Sequence, residues 1–203
     1  MRLRMVPASP FVRKCRIAAA HLGLSNEVVF VDAADDPDDA LRKNNPLNKI
    51  PIALLDDGSA LYDSRVIVEY FDHLAGGGAI IPADPARRFP VLTRQALADG
   101  IMDATVLLVY EVRYREAHQH SPKWIAHQKA KIGAALAEAE KTPEIHAPPG
   151  EQIDIGQIAL ACALGFLDLR QGGAWRADHP KLVAFLDAFS ARVPSFEATK
   201  AAK

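Results

Sequence analysis

The stretch Asn45-Pro46-Leu47-Asn48-Lys49-Ile50-Pro51-Ile52-Ala53-Leu54-Leu55-Asp56-Asp57-Gly58-Ser59-Ala60-Leu61-Tyr62-Asp63-Ser64 decides how the first third of the chain folds. Two short apolar runs, residues 52–55 and 60–62, flank Asp56-Asp57-Gly58-Ser59, a turn sequence that predicts an antiparallel hairpin. Pro51 stands at the entrance to the first run, where a residue without an N–H is confined to a first or edge position. Behind the hairpin Ser64 opens a helix that carries Val66, Ile67, Tyr70, Phe71 and Leu74 on one side.

Working outward, residues 3–6 are a short apolar stretch that stops at Pro7, and residues 28–31 are a second that closes at Asp32. The acidic, proline-containing patch at 32–39 reads as a solvated loop. Between the two stretches a helix opens at Ser9-Pro10 and ends near Gly23, an N-cap with proline at the first helical position and glycine past the end. The order β-α-β-(α)-β-β-α fits a small sheet covered by helices, as in the thioredoxin fold. Gly76-Gly77-Gly78 then breaks the pattern and opens a linker that runs to about Pro85.

Beyond the linker only helical periodicity is present. Residues 91–116 carry it through Leu92, Leu97, Ile101, Ala104 and Leu108, and residues 122–141 through Ile125, Ile132, Leu136 and Ala139. Pro90 is tolerable there only in an opening turn or at a kink. After a proline-bearing loop at 142–150, Asp154 and Gln157 form a capping box, with Ile153 and Ile158 at the positions of a hydrophobic staple. The helix that follows, through Leu160, Ala163, Leu164 and Leu167, is almost wholly apolar, which predicts the buried centre of a helical domain. A last helix starts after Pro180, with Leu182, Phe185, Leu186 and Phe189 inward. The expected architecture is an α/β thioredoxin-like N-terminal domain over 1–76, a linker over 77–84, and an all-α helical bundle domain over 85–203.

Composition narrows the class without naming it. The 203 residues hold 24 basic and 25 acidic side chains mixed along the chain, so no basic stripe offers itself to nucleic acid. The apolar runs are too short to span a bilayer. Two cysteines, Cys15 and Cys162, make neither a disulfide framework nor a metal-binding spacing, which suggests a reducing, cytoplasmic setting.

Three segments carry candidate chemistry. Ser9-Pro10-Phe11-Val12-Arg13-Lys14 puts a hydroxyl at a helix N-terminus, where unpaired N–H groups and the helix dipole favour negative charge; it also reads simply as a cap worth about 1 kcal/mol. In Lys49-Ile50-Pro51, a cis bond before Pro51 would turn the backbone of Ile50 outward toward a peptide ligand. Asp63-Ser64 either caps its helix or holds the ammonium and carboxylate of an amino-acid group.

In order and spacing, S-P-F-V-R-K, N-P-L-N-K-I-P and D-S-R-V-I-V-E-Y resemble the N-terminal domain of glutathione transferases, and D-I-G-Q-I-A-L-A resembles that family's capped, buried helix. The S-P-F start and Ala98-Asp99-Gly100-Ile101-Met102-Asp103-Ala104 look most like a bacterial serine-type subgroup, with plant tau-class enzymes more distant. The resemblance implies that Ser9 is the catalytic serine, donating a hydrogen bond to the glutathione thiolate. It implies that Ile50 and Pro51 pair with the cysteinyl backbone, that Asp63 and Ser64 bind the γ-glutamyl end, and that Lys49 meets the glycyl carboxylate. Most of the family has Glu where this chain has the shorter Asp63. Arg65 falls where relatives place a dimer-interface arginine. Glutathione would be a co-substrate, with no resident cofactor or metal, and a homodimer is expected. Lowering a thiol pKa from about 8.5 by about 2 units needs about 2.7 kcal/mol. A charge-assisted hydrogen bond supplies roughly 1.5–3 kcal/mol and the helix N-terminus roughly 0.3–1 kcal/mol.

Other residues read more simply. Cys15 and Cys162 are core thiols in apolar helices. His118 and His120, two apart, diverge on a helix and make no metal site, and Trp124 and Trp175 are packing residues. Tyr110 and Tyr114, four apart, either line a pocket for a small hydrophobic electrophile or simply pack. The expected function is therefore a glutathione transferase. Its alternatives are a glutathione-dependent thiol or peroxide reductase, and a non-catalytic protein-interaction module of the same architecture.

Overall fold

The computed structural model describes residues 1–35, 43–141 and 152–201. Four strands, β1 (Arg2–Met5), β2 (Val29–Asp32), β3 (Ile52–Leu54) and β4 (Ala60–Leu61), form one sheet in the order β2-β1-β3-β4. β1 and β2 run parallel, Leu3 opposite Phe30, and the other neighbours are antiparallel. The hairpin closes where its turn sequence places it: the Asp57 carboxylate accepts from both the N–H and the hydroxyl of Ser59. Helices α1 (Pro10–His21) and α2 (Ser64–Leu74) lie against this sheet. Of the helix expected between the second and third strands only its end at Lys43 and Asn44 is described; the acidic patch beyond residue 35 and the 142–150 loop lie outside the described residues.

On α2 the buried apolar side chains are Ile67, Val68 and Phe71, not the full set the periodicity grouped together. Val66 and Leu74 are exposed, and with half-buried Tyr70 they form an i, i+4, i+8 row beside the core-facing row.

The glycine run after α2 is built rather than slack. The buried Asp72 carboxylate accepts from the N–H groups of Gly78 (2.8 Å) and Ile80 (2.7 Å), and its own carbonyl accepts from Gly77. Ile80 and Ile81 are consequently driven into the core, and the Ile80 carbonyl receives the N–H of Ile155 from the helical half.

That half comprises α3 (Pro85–Arg113), α4 (Pro122–Lys141), α5 (Ile155–Gln171), α6 (Pro180–Arg192) and α7 (Pro194–Ala198). The helical start read at residue 91 lies six residues upstream: Asp84 caps α3 by accepting from Ala86 N–H, and Pro85 occupies its first turn. Pro90 therefore falls inside the helix.

At the start of α5 the capping box is complete. Asp154 accepts from Gln157 N–H at 2.9 Å, and the Gln157 side chain accepts from Asp154 N–H at 3.1 Å. Ile153 and Ile158, the staple pair, are both buried. From Ile155 to Leu164 every residue of α5 is buried, so the helix is the axis of the molecule, with α3 and α1 against it. Burying each Leu, Ile or Phe side chain contributes about 1.5–3 kcal/mol. Close approach requires Gly156, because a Cβ there would stand 2.9 Å from both the Val91 carbonyl oxygen and the Arg94 Cβ.

Candidate functional site

Ser9 is the N-cap of α1. Its Oγ accepts from Val12 N–H at 3.4 Å and its own N–H donates to the Val6 carbonyl at 3.0 Å. Oγ serves the cap as an acceptor, and no described residue accepts from the hydroxyl, so its proton is available to a ligand. The side chain is half-buried, at the point where β1 ends and α1 begins.

Lys49, Ile50 and Pro51 lead into β3, and the Ile50–Pro51 peptide is cis. The backbone of Ile50 makes no hydrogen bond among the described residues, which leaves its N–H and C=O open just before β3 begins. What holds this segment is Asn45, a residue the sequence reading passed over. Its buried side chain accepts from Leu47 N–H and donates to the Lys49 carbonyl, both at 2.9 Å. Asn45-Pro46 was the available signal, since asparagine before proline initiates turns.

Asp63 caps α2 by accepting from Arg65 N–H at 2.9 Å, and the Tyr62–Asp63 peptide is cis. Arg65, read as an interface residue, folds back here: its Nη2 and Nε lie 2.8 and 3.2 Å from the Asp63 carboxylate. That clamp holds the Asp63 carboxyl below the usual carboxylate range. Ser64, buried in the first turn of α2, stands beside it. A carboxylate, a hydroxyl and the free amides of a helix N-terminus thus share one corner.

Across from this corner runs α3. Asp103 lies in the field of Lys49 and Arg65, while its own partial burial raises its pKa. Tyr110 is seven residues, two turns, further along and so on the same face. The Tyr110 and Tyr114 rings meet edge to face at 5.2 Å between centroids, and both are exposed. They are not part of the cavity beside Ser9. That cavity, about 490 Å³, runs from Ser9 between α1, the end of α5 and α7, with Arg13, Gly165, Phe166 and Phe196 in its walls.

Directly behind the site, Lys14 and Asp99 form a buried ion pair between α1 and α3, Nζ lying 2.7 and 2.9 Å from the two carboxylate oxygens. Burial pushes the Asp99 carboxyl up, against the pull of Lys14. Both cysteines are buried and free; burial raises the Cys15 thiol and pushes Cys162 up to about 12, so neither is a nucleophile at neutral pH.

The chain matches known proteins along most of its length. Residues 3–79 match the model of the glutathione S-transferase N-terminal domain, and residues 122–188 that of the C-terminal domain. The uncharacterized GST-like protein YibF of Escherichia coli K12 is 33% identical over 196 residues, 96% of each chain. A glutathione transferase family member from Pseudomonas fluorescens Pf-5, solved with bound glutathione, superposes with a TM-score of 0.90 at 43% identity, covering 100% of this chain and 99% of that one. A second structure from the same organism, with bound S-(propanoic acid)-glutathione, gives a TM-score of 0.86 at 42% identity with full coverage of both chains. A thioredoxin-like sheet, a helical second half and these matches along the whole chain lead to one conclusion: the chain belongs to the glutathione S-transferase family.

Proposed function

We propose that the protein is a glutathione transferase that ionises the glutathione thiol beside Ser9 and presents it to a small electrophile. The observation that carries this reading is the hydroxyl of Ser9: it is held by Val12 N–H through its oxygen and keeps its proton for a thiolate at the N-terminus of an α-helix. The open backbone of Ile50 pairs with the cysteinyl unit, Asp63 and Ser64 take the γ-glutamyl end, and Lys49 the glycyl carboxylate. Glutathione, bound in the Pseudomonas relative, is the co-substrate, and no resident cofactor enters the scheme. Residues 1–76 hold glutathione, and the electrophile lies against the helical half, residues 85–203, in the cavity beside Ser9, which Tyr110 and Tyr114 do not line.

The same reading makes the protein a cytoplasmic homodimer. Two buried free thiols suit a reducing compartment. Val66, Leu74 and Phe89 are exposed on α2 and the start of α3, an apolar face that a second copy would cover.

The test is the thiolate absorbance near 240 nm of the glutathione complex, followed over about pH 5 to 9. The bound thiol should ionise well below its free value of about 8.5, and Ser9→Ala should move it back by about 1–2 units. No binding at millimolar glutathione would refute the reading and leave the fold as an interaction scaffold.

A further inference from the structure

We propose that the cavity beside Ser9 is an anion subsite, and that Arg13 recognises a carboxylate carried by the electrophile close to its reactive carbon. The proposal rests on the transferase reading of Ser9 and extends it to the class of substrate.

Arg13 is four residues past Ser9, one turn into α1, where a helical side chain lies back over the turn that precedes it. The residue is 8% exposed. Its Nη2 donates to the Phe196 carbonyl at 2.6 Å, its Nε to Thr199 Oγ1 at 3.3 Å, and its guanidinium carbon lies 4.0 Å from the Phe196 ring centroid. Nη1 has no hydrogen-bond partner among the described residues. It reaches past Gly165, where a Cβ would stand only 2.5 Å away, and both residues line the cavity that contains Ser9.

The charges around this cavity sort themselves into pairs and one remainder. Asp168 accepts from Arg176 Nη2 and Nε at 2.6 and 3.0 Å and from Trp175 Nε1 at 2.9 Å. Glu197 is held by Lys200 at 3.3 Å and Ser190 at 3.1 Å. Asp187 is exposed and belongs to the rim. Arg13 is left without a carboxylate at ion-pair distance among the described residues. Its burial lowers its pKa, yet an arginine stays charged at neutral pH. Glu197 and Asp168 favour its charge without reaching ion-pair distance, and the cavity that Arg13 lines leaves Nη1 open to an anion that enters it. The chemistry that satisfies it is a carboxylate, and the shared cavity places that carboxylate within a few bonds of a sulfur held at Ser9.

Three probes decide the matter by calorimetry: glutathione, S-propylglutathione and S-(2-carboxyethyl)glutathione. The carboxyethyl compound should bind about tenfold or more tightly than the propyl compound, the ratio expected of one charge-assisted hydrogen bond. In Arg13→Met the ratio between these two ligands should fall to about one. Because each ratio is taken within one protein, any change in the glutathione contacts cancels. Should Arg13→Met fail to fold, having lost its bonds to the last helix, Gly165→Ala serves instead: the added methyl displaces Nη1 while the charge stays. The ratio should shrink there too. Equal affinities for the two S-substituted ligands in the wild type, or an unchanged ratio in either folded variant, overturns the proposal. Failure of all three compounds to bind, glutathione included, overturns the transferase reading itself.

Discussion

Lys14→Met tests how the two halves of the molecule are held together. Methionine keeps most of the length of lysine and removes the charge that sits 2.7 Å from Asp99. Lys14 is fully buried, so no water replaces the lost ammonium. Removing one partner of such a pair costs about 3–5 kcal/mol, because the remaining charge is stranded. That is a large fraction of a typical stability of about 5–15 kcal/mol. With a urea slope of about 2–3 kcal/mol/M, the unfolding midpoint should fall by about 1–2.5 M. The double variant Lys14→Met/Asp99→Leu should recover most of this loss, since two apolar groups in place of a buried pair cost little. The pH dependence has a definite sign. Burial already raises the Asp99 pKa and Lys14 opposes it, so losing Lys14 raises the folded value further above the unfolded one. Stability linked to a raised pKa is present below the unfolded value and lost as pH rises through the folded one. The penalty in Lys14→Met should therefore be full at neutral pH and shrink toward acid. A midpoint within about 0.3 M of wild type, or a double variant as unstable as the sum of its singles, would refute the argument.

Asp154→Ala removes both the cap of α5 and the 2.7 Å partner of Arg94, and should cost about 2 kcal/mol in thermal unfolding; Asp154→Asn keeps the cap and should cost clearly less. Neither cysteine should react with a thiol reagent in the native protein at about pH 8, and both should react in denaturant, because burial raises their pKa values above the ordinary thiol value of about 8.5. Asp63, held low by Arg65, contributes stability that is present above its unfolded pKa and lost as pH falls through the depressed folded value. Carboxyl-carbon NMR should show Asp63 titrating below ordinary aspartates, and Arg65→Gln should return it upward.

Much of the fold was legible because its signals are local. The Asp56-Asp57-Gly58-Ser59 turn, the Ser9-Pro10 start and the Asp154–Gln157 box each act within four residues, and each appears in the structure at its expected place. The glycine run shows where local reading stops. Three successive glycines with positive φ permit a loose linker, and only Asp72, six and eight residues upstream of the N–H groups of Gly78 and Ile80, turns them into a packed strap. The candidate site divides in the same way. Ser9, Ile50, Asp63 and Ser64 were readable from capping and from resemblance, whereas the Arg65 clamp on Asp63 depends on how a long side chain turns back.

Arg13 and Lys14 carry that distinction furthest. A cation pair beside Phe11, Val12 and Cys15 reads as the wet side of a half-buried helix, because surface helices keep their charges on one face. Yet α1 is enclosed by the sheet, α2, α5 and α7, and has no wet side at that level, so both cations are buried. Adjacent residues on a helix point about 100° apart, which sends the two charges to different neighbours. Lys14 turns to α3 and finds Asp99; Arg13 turns to α5 and α7 and finds a carbonyl, a hydroxyl and an aromatic face. One charge is neutralised inside the fold and serves to join its halves. The other is hydrogen-bonded but has no ion-pair partner among the described residues, and it lines the same cavity as the hydroxyl proposed to hold the thiolate. An internal carboxylate at that position would have satisfied the fold alone; the absence of one among the described residues is what directs Arg13 toward a ligand.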